Sequence, residues 1–292
     1  MLFKRYTDRI FEAILVFVSI IIIFVIAYPL YFVIIASFSQ PEAVLTGRVI
    51  FLPIGFNFES YLMLLDEPSV WTGYRNTIFY ASLGTCINLI LTTLAAFPLS
   101  RKDMPLRGFF TLFVLFTMLF SGGMIPIWFV VRNLGLFDTI WAMMIPGAIS
   151  TFNLLVMKNY FQSSIPDDLQ AAAEIDGCSH VQVLLRVVLP LSKPIIAVIT
   201  LFYIVGHWNA FFNAILYLRN QALFPLQLVL RSILIQNSLE AVVDGLGMTE
   251  RVMRGETMKY SLIIIASLPV LLLYPIIQKY FVKGIMVGAI KG

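Results

Sequence analysis

The sequence predicts an all-α fold: a polytopic transmembrane helical bundle of about six spans, with both termini cytoplasmic. Three observations predict it. The 292 residues are 60% hydrophobic and only 12% charged, whereas a typical soluble domain is about 25% charged. The mean hydropathy is +0.90. The apolar residues gather in runs long enough to cross a bilayer, which takes about 20 residues per helix. An ordinary water-soluble globule is excluded. Disorder is excluded too, because it needs low hydrophobicity and high charge.

Six segments qualify as spans, roughly 12–36, 76–98, 108–131, 139–160, 190–217 and 260–282. The first follows Lys4, Arg5 and Arg9 and continues from Ile14 to about Ile35. That is too long for a cleavable signal segment, so a retained anchor is expected. The third holds Gly122, Gly123 and Pro126, which predict a break. The fourth holds Pro146. The fifth holds Pro194 and Gly206, and the sixth holds Pro269 and Pro275. Prolines are tolerated inside spans where neighbours re-satisfy the backbone.

Basic residues set the orientation. With the N-terminus inside, the inner segments hold twelve Lys and Arg and the outer ones eight. The outer residues sit mainly in one long loop, which weighs little in the positive-inside rule. Two outer connections are long. Residues 38–70 contain Pro41, Pro53, Gly55 and Pro68 with no helical period and are expected as loop. Residues 218–259 start with Leu226, Val229, Leu230, Ile233 and Leu234 at helical spacing, which predicts an amphipathic helix. The polar stretch Glu240–Glu256 is expected to be exposed.

The inner loop 162–190 carries the most information. Ser164 suits a helix cap, Pro166 a first turn, and Asp167 and Asp168 the positive end of a helix dipole. Ala171, Ala172 and Ala173 are strong helix formers with small side chains, so a partner surface could approach closely. Asp176 precedes Gly177, which ends the helix in a left-handed turn. Ser179 and Gln182 form a capping-box pattern for a second helix. Val181, Leu184, Leu185 and Val188 predict one apolar stripe, and Pro190 is expected to stop the helix. The prediction is two short helices joined by a sharp turn.

This loop resembles the EAA signature of the membrane subunits of binding-protein-dependent ABC importers. The signature runs Glu-Ala-Ala, three residues, Gly, nine residues, Ile, one residue, Leu-Pro. Ala172, Ala173, Gly177, Leu189 and Pro190 match at those spacings, and Val187 stands for the Ile. One position departs: the family's Glu falls on Ala171. Glu174, three residues on and on the same helix face, is the candidate to replace that carboxylate.

The resemblance extends over about residues 73–292. It includes Tyr74-Arg75-Asn76-Thr77, the run Thr93–Arg101, Gly206-His207-Trp208-Asn209 and the ending Gln278–Gly292. These are similar to the smaller membrane subunit of the maltose importer, and more so to permeases for oligosaccharides from plant or algal polysaccharides. The resemblance implies one transmembrane domain over residues 1–292. Within it lie an anchor span at about 12–36, a family core at about 73–285, a coupling loop at about 162–190 and an outer loop at about 218–259. It implies a multi-pass protein of the bacterial cytoplasmic (inner) membrane, paired with a homologous second membrane subunit. A cytosolic ABC ATPase dimer would bind ATP and Mg, none of which this chain would bind itself. An extracytoplasmic solute-binding protein would deliver the sugar, and its docking is assigned to the region around Glu240–Glu256. The loop residues Ala171, Ala172, Ala173, Glu174, Asp176, Gly177, Leu189 and Pro190 would then couple the ATPase to the spans.

Polar side chains inside spans mostly face a bundle interior or a cavity. On that ground Asn88, Thr92, Asn153, Tyr203, His207, Trp208, Asn209 and Asn213 are candidates for a sugar path. Asn88 and Thr92 share a face, as do Asn209 and Asn213. Interhelical hydrogen bonding is the competing reading for Asn88, Thr92 and Asn153. For Tyr203 it is plain packing.

The sequence holds no Gly-x-x-x-x-Gly-Lys-Ser/Thr and no Gly-Lys pair, so it has no P-loop to cradle phosphates. It has no His-Glu-x-x-His and no paired Cys at zinc spacing, so no catalytic or metal site is expected. Cys86 and Cys178 lie in different settings and predict no bridge. The basic residues lie in short clusters between spans, not in a stripe, which argues against nucleic acid. Two other classes fit the sequence less well. A secondary carrier or channel would need ionisable groups inside the spans, and these are almost absent. A membrane enzyme would need a cluster of acid–base residues. The only such group, Asp167, Asp168, Glu174 and Asp176, is explained by helix capping and docking.

Overall fold

The computed structural model describes residues 2–243, 258–272 and 275, with side chains described for 9, 11–235, 258–272 and 275. Among these residues the structure is helical, with no strand. The polytopic helical fold class is borne out. The ending of the sixth span, most of Glu240–Glu256 and the terminal Gln278–Gly292 lie outside the described residues.

The first of two compact units draws on Met1–Pro68 and Leu230–Leu268. Its helix α1 (Leu2–Ser37) is apolar enough to span from Phe11 to Ser37, 27 residues. That is about 40 Å at 1.5 Å per residue, more than a hydrocarbon core of about 30 Å. Its side chains are nearly all exposed along the span, as a lipid-facing helix requires.

Beyond α1 the chain folds back. Gln40 N–H donates to the Ile54 carbonyl at 2.9 Å, and Asn57 N–H to the Phe38 carbonyl at 2.9 Å. Tyr28 hydroxyl donates to the Ile50 carbonyl at 3.2 Å, and Tyr31 hydroxyl to the Phe51 carbonyl. Phe38 stacks on Phe56 and on Tyr61. The expected plain loop at 38–70 is corrected: it contains α2 (Pro41–Leu45) and α3 (Glu59–Asp66). Pro41 hides α2 from a periodicity search, although proline suits a first helical turn.

The second unit draws on Ser69–Val229 and residues from Pro269 onward. Its longest rod is α4 (Pro68–Ser100), 33 residues or about 50 Å. Gly73, Asn76, Thr77, Tyr80, Gly84, Asn88 and Thr92 are buried along it, while Ile78, Leu91 and Leu94 are exposed. Small and polar residues inside with aliphatic residues outside is the pattern of helix contacts made in lipid.

The third, fourth and fifth expected spans are not straight. The expected third span breaks into α5 (Arg107–Leu119) and α6 (Met124–Asn133), which meet at 111°. Gly123 supplies the turn with φ +83°, a conformation that glycine adopts without steric cost. The expected fourth span, 139–160, is a 3₁₀ turn (Ile140–Met143), an irregular stretch and then α7 (Thr151–Ser164). Ser150 caps α7 by accepting from Asn153 N–H at 3.4 Å, and Pro146 interrupts helix before that point. The expected fifth span, 190–217, begins in mid-helix. Helices α9 (His180–Leu191) and α10 (Lys193–Trp208) meet at 85°, between them and α7 lies α8 (Asp167–Ile175), and α11 (Phe211–Tyr217) follows. A helix is present where the spacing near 226 predicts one, as α12 (Leu226–Val243). Helix α13 (Met258–Leu272) opens the sixth span.

One apolar core fixes the inner-loop region. Ala96 and Phe97 of α4, Met157 and Phe161 of α7, Val183, Leu184 and Val188 of α9, and Ile195, Ile199 and Tyr203 of α10 pack together. A buried Phe→Ala change in such a core costs about 3–5 kcal/mol.

Candidate functional site: a two-helix hairpin and a polar cavity beside one long helix

The hairpin forms as its local residues dictate. Asp167 and Asp168 occupy the first turn of α8. Its N-cap is Pro166 rather than Ser164, which ends α7 instead. Asp176 N–H donates to the Ala172 carbonyl at 2.9 Å, Gly177 N–H to Glu174 at 3.0 Å and Cys178 N–H to Ala173 at 2.9 Å. Gly177 sits at φ +84° with open space around it. The capping box is complete: Ser179 N–H donates to Gln182 Oε1 at 2.8 Å, and Gln182 N–H to Ser179 Oγ at 3.4 Å.

Two expectations are corrected here. Val181, Leu184, Leu185 and Val188 do not form one buried stripe. Val183, Leu184 and Val188 are buried, whereas Val181 is 64% and Leu185 57% exposed. The helix widens into a π turn over Leu184–Val188, which shifts the face that later residues present. Nor does Pro190 stop the helix, which runs to Leu191 before bending. Pro190 has no N–H for the carbonyl one α-turn back, and the wider turn lies at that point. Together with Ile175, 87% exposed, Val181 and Leu185 leave apolar surface on the hairpin. Ala171, Ala172, Asp176, Gly177 and Pro190 are also exposed, while Ala173 and Leu189 are half-buried against the core.

Glu174 is engaged within its own chain. Its Oε1 lies 2.7 Å from an Arg101 guanidinium nitrogen and 3.5 Å from His180 Nδ1. Arg101 follows the last residue of α4. It grips Asp103 with two nitrogens at 2.9 and 3.0 Å and donates to Gln170 Oε1 at 3.0 Å. The Arg101 hydrogen bond holds the Asp103 carboxyl below its usual range, and Asp103 in turn raises the guanidinium pKa. Lys102 pairs with Asp167 at 2.6 Å, and Gln162 donates to the Ser100 carbonyl at 3.2 Å. None of these long-range partners was visible in the sequence.

The second feature is a cavity of about 440 Å³. Asn88, Asn153, Tyr203, His207 and Asn213 line it, with Met143, Pro146, Ser150, Phe152, Phe202 and Gly206. Five of the eight path candidates therefore come together. Thr92 lies behind the wall, fully buried, its hydroxyl 2.6 Å from Tyr203 OH. Trp208 is buried against Tyr74, and Asn209 donates to the Val205 carbonyl at 3.0 Å; neither lines the cavity. Tyr203 OH also accepts from Ser150 N–H at 3.1 Å. His207 Nε2 lies 3.1 Å from Asn88 Oδ1. That approach exists because residue 84 is glycine: a Cβ there would stand 2.5 Å from His207 Nε2. The signal for Gly84 was its place one turn before Asn88 on the same face.

Residues 69–287 match the family of binding-protein-dependent transport system inner membrane components. The chain belongs to that family. It is a membrane permease subunit of an ABC importer, not an enzyme. This permease is 39% identical over 286 residues to the polygalacturonan/rhamnogalacturonan transport system permease protein YtcP of Bacillus subtilis, covering 98% of this chain and 99% of that one. It is 43% identical over 265 residues to protein LplC of the same organism, covering 90% and 89%. A crystal structure of a bacterial ABC transporter involved in the import of the acidic polysaccharide alginate superposes with a TM-score of 0.84 at 34% identity. That match covers 94% of this permease and 98% of the other chain.

Proposed function

We propose that this permease translocates oligosaccharides from acidic plant or algal polysaccharides. An external binding protein would deliver the sugar, and a separate ATPase would act through the α8–α9 hairpin. The substrate class rests on the similarity to a polygalacturonan/rhamnogalacturonan permease and an alginate importer. The observation that carries it is the cavity lining: amides, hydroxyls, aromatic rings and one imidazole, with no carboxylate among the described residues. A uronate entering there meets hydrogen-bond donors and no like charge, and the volume lies within the range of small-molecule sites. The hairpin supports coupling because its exposed Ile175, Val181 and Leu185 offer apolar contact at the end of two rigid helices. The remaining parts are a homologous second membrane subunit, an ATPase dimer binding ATP and Mg, and a solute-binding protein. Closure of the ATPase pair would turn the hairpin and switch the bundle between inward- and outward-facing states as rigid bodies.

The test is reconstitution of the co-expressed complex in lipid nanodiscs. ATPase activity is then read with the binding protein loaded with oligogalacturonate, alginate oligosaccharide or maltodextrin. Uronate-loaded protein is expected to stimulate hydrolysis at least fivefold. Stimulation by maltodextrin alone would overturn the substrate class. Sugar flux without ATP, and with no ATPase retained on the permease, would overturn the coupling.

A further inference from the structure

We propose that Arg101 is a positioning residue that fuses α8 to the adjoining end of α4, so that the hairpin and the cavity wall move as one body. This rests on the reading of the hairpin as the coupling element. Three observations carry it.

First, Arg101 is a hub. It is 13% exposed and reaches Asp103, Gln170 and Glu174 at once, with its guanidinium 6.0 Å from the Phe97 ring centre. Gln170 and Glu174 are one turn apart on α8, so a single planar fork reaches two successive turns. A lysine has one nitrogen and cannot hold all three partners in that geometry.

Second, the grip is not isolated. Phe97 and Ala96 below it pack against Ile165, Val183 and Leu184. Lys102–Asp167 and Gln162–Ser100 flank it. Lys102–Asp167 thus adds a second ionic tie between the end of α4 and α8, while the Gln162 bond and the apolar core hold that end of α4 against the flanking helices α7 and α9.

Third, α4 runs as one helix from Ser100, next to this grip, to the cavity, with Pro98 accommodated in its last turn. Thirteen residues, about 20 Å of helix, separate Arg101 from Asn88. Asn88 and Thr92 hold His207 and Tyr203. A displacement of α8 thus reaches the cavity wall through one continuous helix. The two bent pairs, α5–α6 and α9–α10, lack that continuity. Glu174 then serves the permease internally and not as a contact for a basic group on the ATPase.

Two experiments on the full complex test this. In the first, Arg101→Gln should retain the ATPase on the permease and leave basal hydrolysis within about twofold. Stimulation by loaded binding protein should fall at least fivefold. Arg101→Lys should be intermediate. The charge swap Arg101→Glu with Glu174→Arg should restore more of the stimulation than either single change leaves. Full stimulation in Arg101→Gln, with wild type coupled, would overturn the proposal and leave the coupling reading standing. Loss of the ATPase from wild type would remove both.

The second experiment stands even if Arg101→Gln fails to fold. Lys102→Cys with Asp167→Cys, in a background of Cys86→Ser and Cys178→Ser, is crosslinked by oxidation. One rigid body predicts that transport survives the crosslink. Transport abolished by the crosslink and recovered on reduction would show that α4 and α8 separate during the cycle, and would overturn the proposal.

Discussion

The hairpin and the cavity both adjoin α4 and are built by opposite rules. At the hairpin, charges pair around a largely buried Arg101 and apolar side chains are exposed. At the cavity, the contacts are between neutral groups, half-buried or buried: imidazole to amide, and phenol to hydroxyl. On the proposed function the hairpin receives a protein, and such a region can leave hydrophobic surface exposed and orient it by charge. On the same proposal the cavity passes a polar solute inside a membrane, where groups that exchange hydrogen bonds avoid a large desolvation cost. The difference teaches that α4 joins two chemistries, with Phe97 and Ala96 as the apolar collar between them.

The largest expected effect breaks the hairpin alone. Gly177→Arg forces a side chain into φ +84°, which costs about 1–2 kcal/mol, too little to unfold the bundle. It also places a bulky cation on the exposed turn. Loaded-binding-protein stimulation should fall more than tenfold while the chain still inserts, read by ATPase assay and membrane fractionation. The next breaks the cavity alone. Gly84→Val should drive a methyl group into His207, separate it from Asn88 and lower transport about tenfold. Co-purification of the ATPase should be unchanged. If both variants lose the ATPase, the two regions are not separable.

A smaller effect sharpens the comparison. Tyr203→Phe removes one oxygen shared by Thr92 and Ser150 N–H. Unsatisfied buried groups cost about 1–3 kcal/mol, so a lower thermal midpoint in detergent is expected, with the hairpin intact.

The smallest lies away from both regions. Asp138 accepts from Arg219 N–H at 2.8 Å and from Asn220 N–H at 2.9 Å. The Asn220 bond first, then that of Arg219, holds its pKa below 3.8. A depressed carboxyl contributes stability above its unfolded pKa and loses it as pH falls through the folded value. Asp138→Asn keeps an acceptor oxygen and suits the φ of +58° there. It should lower the midpoint slightly at pH 7, where the charged acceptor is lost, and converge with wild type as pH falls well below 3.8, measured as a midpoint against pH.

The hairpin was largely legible because its determinants are local. Gly177, the Ser179–Gln182 box and the leading aspartates act within four residues of themselves. The stripe failed where one wide turn moved the helix face, which no fixed period anticipates. Gly122–Gly123 marked a break, but its 111° angle depends on packing partners. Pro146 alone did not reveal that half of a span would be irregular. The cavity was legible as a set of polar residues in apolar runs. What the runs left out was which of those residues meet: Thr92 finds Tyr203 at a separation of 111 residues, and Arg101 finds Gln170 at 69. Pairings of that kind are settled by tertiary packing.

The tyrosines of α1 bear on the order of synthesis. Tyr28 and Tyr31 precede the carbonyls they satisfy by 22 and 20 residues. At about 5–20 residues per second on the ribosome, the donors are made about 1–4 s before Ile50 and Phe51. Those two side chains are more than half exposed and apolar. The first span thus emerges already carrying the hydroxyls that the returning chain requires.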